Sequence, residues 1–298
     1  MQMSSLFPII ERTMKQHKRL FLPCDGWVYF KIYCGEITLD KLLINELHNY
    51  IEKLKTDKLI KSWFFIRYYD PDHHIRLRLK TQKNKHGYKV VLVLNKAIQE
   101  LVHYNFIWKV EISSYDREIE RYAWLKYKIS EQLFYIDSTY YVGSLEYLTN
   151  NELKFLYNFK ASLDFIKIFY PIDKDLLKFI KISEASYKQE FEITKITQKQ
   201  LSTKYRSIKT RITAFLEDNN DCNFKILRET LSLKNFEIKK LFSTIELVEN
   251  VSEKFSFVSS HIHMNTNRTF SSNQRLYEMI TYDYLYRYYN SLLQRNSK

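Results

Sequence analysis

The sequence predicts an α+β fold, an antiparallel sheet with hairpins packed against several amphipathic helices. Three observations carry that expectation. Runs rich in aromatic and β-branched residues fill the front of the chain, while the middle, roughly 145–250, is a Lys-rich series with Leu, Ile and Phe at helical spacing. Only four Gly and four Pro occur in 298 residues, which favours long regular elements and short turns. Sheet at the front and helices behind it is the pattern of an α+β protein.

The elements follow in order. Trp27 to Tyr33 (WVYFKIY) reads as a largely buried strand. Thr38 is placed to cap the next helix, where Leu39, Leu43, Leu47, Tyr50, Ile51 and Leu54 recur at helical spacing. Trp63–Tyr69 is a second strand, Asp70-Pro71-Asp72 a turn, and His74 to Leu79 the returning strand of an antiparallel hairpin. A helix is expected from about Tyr88 to His103 and a strand over Phe106–Ile112. The pattern turns helical from Glu118 to about Phe134, Phe255 to His263 alternates weakly like a strand, and Gln274–Leu293 is a closing helix. No repeat or linker interrupts the chain, so one domain over residues 1–298 is expected.

Composition narrows the function. With 24 Tyr, 20 Phe and 45% hydrophobic residues the chain can bury a core. So few glycines leave no Gly-rich phosphate loop. The formal charge of +13 favours anionic partners through long-range attraction, although Lys surrounded by Ile, Asn, Tyr and Phe also fits a solvated surface. Cys24, Cys34 and Cys222 form no CxxC pair, so neither a disulfide framework nor a zinc site is expected. No apolar run approaches the ~20 residues that span a bilayer, and the N-terminus has no signal core, so a cytoplasmic protein is expected.

Three local features could carry chemistry. On the hairpin's return strand Arg76 and Arg78 share one face, where two guanidiniums either bind an anion or sit in water. Glu118 and Arg121 are i,i+3 neighbours if helical, a spacing that by default makes a surface ion pair. His261 and His263 would share a face of a strand, and His is suited to proton transfer near neutrality, but no carboxylate or Cys completes a metal set. His73-His74 resembles a metal pair only superficially, because adjacent strand residues face opposite ways.

In order along the chain these features resemble the lantibiotic dehydratase C-terminal family, also labelled thiopeptide-type bacteriocin biosynthesis. The hairpin resembles its "WFFIRY-DP-HIRLR" signature, residues 63–78, which includes Arg67. Tyr115 to Tyr122 is similar to "Y-x-x-E-I-E-R-Y", and Glu131, Phe134, Asp137 and Ser138 to "E-x-x-F-x-x-D-S". His263-Met264 with Asn267-Arg268 is similar to "H-M-x-x-N-R", after which Arg275 and Glu278 fit the terminal helix. The resemblance runs from Trp27 to about Tyr289. The chain departs from it at Ala123-Trp124, where the family has two glycines.

The resemblance implies a lyase that expels glutamate from glutamylated Ser or Thr of a precursor peptide. It implies catalytic roles for His263, Arg78 and Arg121, with His263 moving the proton, and substrate-binding roles for Arg76, Glu118, Arg67, Asn267 and Arg268. It further implies no metal or organic cofactor, a separate tRNA-dependent glutamylating partner in a split system, and a homodimer. Two alternatives stay open: a thiopeptide pyridine synthase that performs a formal cycloaddition with leader release, and a non-catalytic basic module binding peptide or RNA.

Overall fold

The computed structural model describes residues 18–122, 127–217, 222–243 and 250–296. The chain divides into two compact units, the first ending at Tyr127 and the second beginning at Lys128.

The first unit is built on a four-stranded antiparallel sheet. Its strands are β2 (Trp27–Cys34), β3 (Ile60–Tyr69), β4 (His73–Thr81) and β5 (Ile107–Ile112), in the spatial order β3-β4-β2-β5. Two short strands, β1 (Leu20–Phe21) and β6 (Tyr115–Asp116), pair separately. The expected hairpin is present, with Asp70-Pro71-Asp72 between β3 and β4 and a cis bond at Asp70-Pro71.

Strand alternation gives this sheet two unlike faces. Val28, Phe30, Ile32, Phe65, Ile75, Leu77 and Leu79 lie on one face and are almost fully buried. Helices α1 (Glu36–Lys41), α2 (His48–Thr56) and α3 (Gly87–His103) pack on the sheet and bury Leu39, Ile51, Leu54, Val90, Leu94 and Ile98. A π-helical turn, Leu42–Leu47, joins α1 to α2. Each such side chain contributes about 1.5–3 kcal/mol when buried, so trimming Leu77 to Ala would cost about 2–5 kcal/mol. The other face carries Tyr29, Phe64, Arg76 and Arg78. The helices therefore hold the sheet rigid from behind and leave its polar-aromatic face to build a site.

Thr38 does not cap a helix. The N-cap is Gly35, with no side-chain cap bond, and Thr38 lies inside α1.

The second unit is helical: α4 (Tyr127–Ser144), α5 (Asn151–Phe169), α6 (Asp173–Glu190), α7 (Lys195–Leu216), α8 (Cys222–Ser243), α9 (Val251–Thr269) and α10 (Gln274–Asn296). Side chains at the N-caps satisfy otherwise orphaned amides: Asn150 accepts from Leu153 N at 2.9 Å and Asn250 from Ser252 N at 2.9 Å. Helix α5 is the centre of the unit and packs on α9 and α10. The closing helix matches expectation, but residues 255–263 do not form a strand, since they lie inside α9. The expected helix from Glu118 is also displaced. Glu120–Tyr122 is a single 3-10 turn, and α4 starts at Tyr127. The departure at Ala123-Trp124 lies outside the described residues. No helix of the described residues is long and apolar enough to cross a membrane.

Candidate active site

In the first unit, the polar-aromatic face of the hairpin opens into a cleft of about 480 Å³. Five arginines line it: Arg19, Arg76, Arg78, Arg117 and Arg121. Three acids, Asp116, Glu118 and Glu120, line it too and leave positive charge in excess.

Arg78 is the most unusual of these groups. It is only 8% exposed, and its guanidinium lies 4.4 Å from the ring of Tyr29, 5.0 Å from Tyr115 and 5.4 Å from Phe64. The cross-strand register explains the cage, because Tyr29 and Phe64 are the partners of Arg78 on β2 and β3. Nε of Arg78 is buried without a hydrogen-bond partner, and no carboxylate of the described residues pairs with this arginine. A buried cation held by aromatic faces, with its hydrogen bonds unspent, is suited to receive an anion.

Arg76 sits two residues earlier on the same face. Its guanidinium stacks 3.4 Å from Tyr68, and its Nε donates to His74 Nε2 at 3.2 Å. The exposed pair Arg121–Glu118 forms as expected, at 3.2 Å, with Arg121 on the 3-10 turn and Glu118 just before it. Arg19 pairs with Asp116 at 3.1 Å and also with Glu120. Arg117 donates to the Lys18 carbonyl at 2.9 Å and stacks on Phe21 and Tyr127.

Arg67, to which the resemblance gives a substrate-binding role, is on the face of the sheet opposite Arg76 and Arg78. It is 1% exposed and forms an ion pair with Asp40 of α1. Its location is that of a strand-to-helix tie behind the sheet, not of a cleft residue.

The second unit holds His263, Asn267 and Arg268, all on α9. Residues two apart on a helix point to different sides, so His261 and His263 do not share a face. His261 is buried among Phe134, Phe165 and Phe257, with Nδ1 2.7 Å from the Phe257 carbonyl. His263 is 25% exposed, and its Nδ1 lies 2.9 Å from Oε2 of Glu278, which is 1% exposed. The same oxygen accepts from Arg275 at 3.2 Å; Arg275 in turn pairs with Glu190 and donates to Tyr187 Oη at 2.6 Å. Burial, with Glu278 next, pushes the Tyr187 phenol well above its ordinary value, so it stays protonated. With the carboxylate on Nδ1, the His263 ring is oriented and its Nε2 is the nitrogen left for proton exchange.

Arg268 is placed differently from expectation. It is 1% exposed, donates to Ser138 Oγ at 3.2 Å, Asp137 at 3.5 Å and the Met264 carbonyl at 3.1 Å, and stacks on Phe134. Phe134, Asp137 and Ser138 are therefore the receptor for a buried arginine. Asp137 also pairs with buried Lys234 at 2.7 Å. Asn267 is half-buried, one helical turn beyond His263.

The cage rings Tyr29, Phe64 and Tyr115, the acids Asp116 and Glu120, and the His263 partner Glu278 went unassigned in the sequence. Tyr29 and Phe64 could have been found by registering the hairpin and β2 on Arg78. Glu278 needed knowledge that α9 and α10 pack together. Among the described residues, no group of three or more His, Cys, Asp or Glu could hold a metal ion.

The family model described as lantibiotic biosynthesis dehydratase C-term matches residues 27–289. The chain belongs to that family. Among curated proteins it is 28% identical over 284 residues to the nisin biosynthesis protein NisB of Lactococcus lactis subsp. lactis, covering 92% of this chain and 26% of NisB. It is 26% identical to the subtilin biosynthesis protein SpaB of Bacillus subtilis, covering 87% of this chain and 25% of SpaB. The chain thus spans about a quarter of the length of these relatives. In fold it is similar to the tRNA-dependent lantibiotic dehydratase MibB from Microbispora, with a TM-score of 0.69 at 16% identity, over 92% of this chain and 29% of MibB. It is also similar to TbtD, the pyridine synthase of thiomuracin biosynthesis, with a TM-score of 0.56 at 9% identity, over 89% of this chain and 99% of TbtD. The family match covers both the arginine cleft and the His263–Glu278 pair.

Proposed function

We propose that this protein is a glutamate-eliminating lyase acting on glutamylated Ser or Thr of a ribosomal precursor peptide. The observation that carries the reading is Arg78, a buried guanidinium in an aromatic cage with no acidic partner among the described residues. An ester drawn from glutamyl-tRNA keeps its ammonium and side-chain carboxylate, so it is a zwitterion. Arg76 and Arg78 supply donors for the carboxylate, and Glu118 supplies an acceptor for the ammonium.

Elimination removes the α-proton of the esterified residue, forms the α,β double bond and breaks the bond from the β-carbon to the ester oxygen. The electron pair leaves with glutamate, now a free carboxylate. Negative charge develops first on the peptide carbonyl and then on the departing carboxylate, and positioned guanidiniums lower the cost of both. His263, oriented by Glu278, is suited to accept the α-proton at Nε2. The precursor peptide and a tRNA-dependent glutamylating activity are the partners this chemistry requires. Elimination calls for a proton acceptor and for cationic donors toward a departing carboxylate, and His263 with Arg76, Arg78 and Arg121 suits that chemistry, which favours elimination over cycloaddition.

The test supplies purified glutamylated precursor peptide and follows glutamate loss by mass spectrometry. Dehydrated peptide with free glutamate is expected; adducts left intact would refute the reading.

A further inference from the structure

We infer that His74 is a positioning residue, which holds the Arg76 guanidinium in place through the unprotonated Nε2 of a single imidazole tautomer. The inference rests on the proposed role of Arg76 in binding the glutamyl group.

The tautomer follows from what its neighbours can do. His74 Nδ1 lies 2.8 Å from the Asp72 carbonyl oxygen, which only accepts, so Nδ1 carries the hydrogen. Nε of Arg76 only donates, and it meets Nε2 at 3.2 Å, so Nε2 carries the lone pair. Both contacts are satisfied by one neutral form of the ring. The protonated ring would set an N–H against an N–H, and the other tautomer would break both contacts.

Packing leaves the ring little room to turn. His74 is fully buried, with Tyr33 at 4.5 Å between ring centroids on one strand and Tyr68 at 5.5 Å on the other. Tyr68 also forms the platform for the Arg76 guanidinium. His74 and Tyr68 therefore fix the arginine from its edge and from its face. Because Nε is the atom tied to His74, the two terminal amino groups of Arg76 stay together as a planar fork, with no hydrogen-bonded partner among the described residues. That fork is the geometry a carboxylate accepts in two parallel bonds. Arg78 gets its orientation from three rings. Arg76 has one ring, and His74 supplies what the other rings would.

The test has two arms. In wild-type protein, ¹⁵N NMR of the imidazole should report a hydrogen on Nδ1 and a bare Nε2 at neutral pH; the opposite tautomer would overturn the inference. For the second arm, dissociation constants of a glutamylated-serine peptide are measured in a double-mutant cycle. His74→Phe, which keeps a ring between the two tyrosines but has no acceptor, should weaken binding about tenfold, the worth of one charge-assisted hydrogen bond. In an Arg76→Ala background it should change binding less than about twofold, because there is no guanidinium left to hold. His74→Gln, which can still accept, should restore most of the affinity. Equal losses in both backgrounds would make His74 a purely structural residue and refute the inference. Wild-type protein that binds the peptide without releasing glutamate would refute the lyase reading, while the cycle would still decide the role of His74.

Discussion

Replacing Arg78 by Met should separate stability from activity. The wild-type guanidinium is buried against Tyr29, Phe64 and Tyr115 without an acidic partner among the described residues. Taking a charge out of water costs several kcal/mol, and each ring face returns about 0.5–2 kcal/mol. The three rings therefore roughly offset the desolvation. Met fills similar space with no charge to desolvate, so the folding free energy should stay within about 1 kcal/mol of wild type. Activity should respond otherwise. Each charge-assisted bond to a bound carboxylate is worth about 1.5–3 kcal/mol, so losing two should lower kcat/KM by about 100-fold or more. Denaturant unfolding measures the first quantity and mass-spectrometric glutamate release the second. A strongly destabilised variant that still released glutamate at the wild-type rate would refute the argument and make the cage a folding device.

Other outcomes follow from the same geometry. Glu278→Gln keeps a hydrogen-bonding group beside His263 Nδ1 but removes the charge that steadies an imidazolium, so kcat should fall about 10–100-fold with the fold intact; unchanged kcat would remove the pair from the reaction. Arg268→Ala leaves Asp137 its Lys234 partner but removes the buried side chain that Ser138, the Met264 carbonyl and Phe134 hold, and should cost about 2–4 kcal/mol in denaturant unfolding, a structural loss. Burial, set against the nearby Arg67 charge, pushes the Cys34 thiol up to about 12, so native protein at pH 8 should leave Cys34 unalkylated until it unfolds. For His74, burial is the main cause that lowers its pKa; Arg76 and Lys31 add to it, and the Asp72 carbonyl and Glu111 oppose it. The unfolded chain then binds the proton first, so this contribution to stability is present above the ordinary imidazole value and is lost as pH falls below it towards the folded value. His74→Phe should accordingly lose less stability than wild type between pH 7 and 5.

The sequence made the front of the molecule legible because strand alternation is a local signal. Trp27 to Tyr33 and the two arms of the 63–79 hairpin read as strands, and the hairpin's alternation put Arg76 and Arg78 on one face, although the pairing of Trp27–Tyr33 with the hairpin was not readable. Registering the hairpin also sets Arg67 opposite Ile75, on the buried face; its partner Asp40, 27 residues earlier, could not be seen. Helix α9 is hard to read from the sequence for a physical reason. Its buried side includes Asn265, Thr266, Arg268 and Thr269, satisfied by hydrogen bonds, so hydrophobic residues do not recur at helical spacing and the His-Ile-His alternation dominated. The family resemblance drew attention to His263 and Arg268 alike. Only packing separates them, one half-open beside Glu278 and the other enclosed by Phe134, Asp137 and Ser138.

The measurement that tests the lyase reading most directly uses a peptide whose glutamylated serine carries deuterium at the α-carbon. Incubated with the protein, it should release glutamate and lose the deuterium together, leaving dehydroalanine. Glutamate released with deuterium retained and the serine hydroxyl restored would show hydrolysis, and a peptide that keeps both label and adduct would show no reaction. Either result contradicts the account.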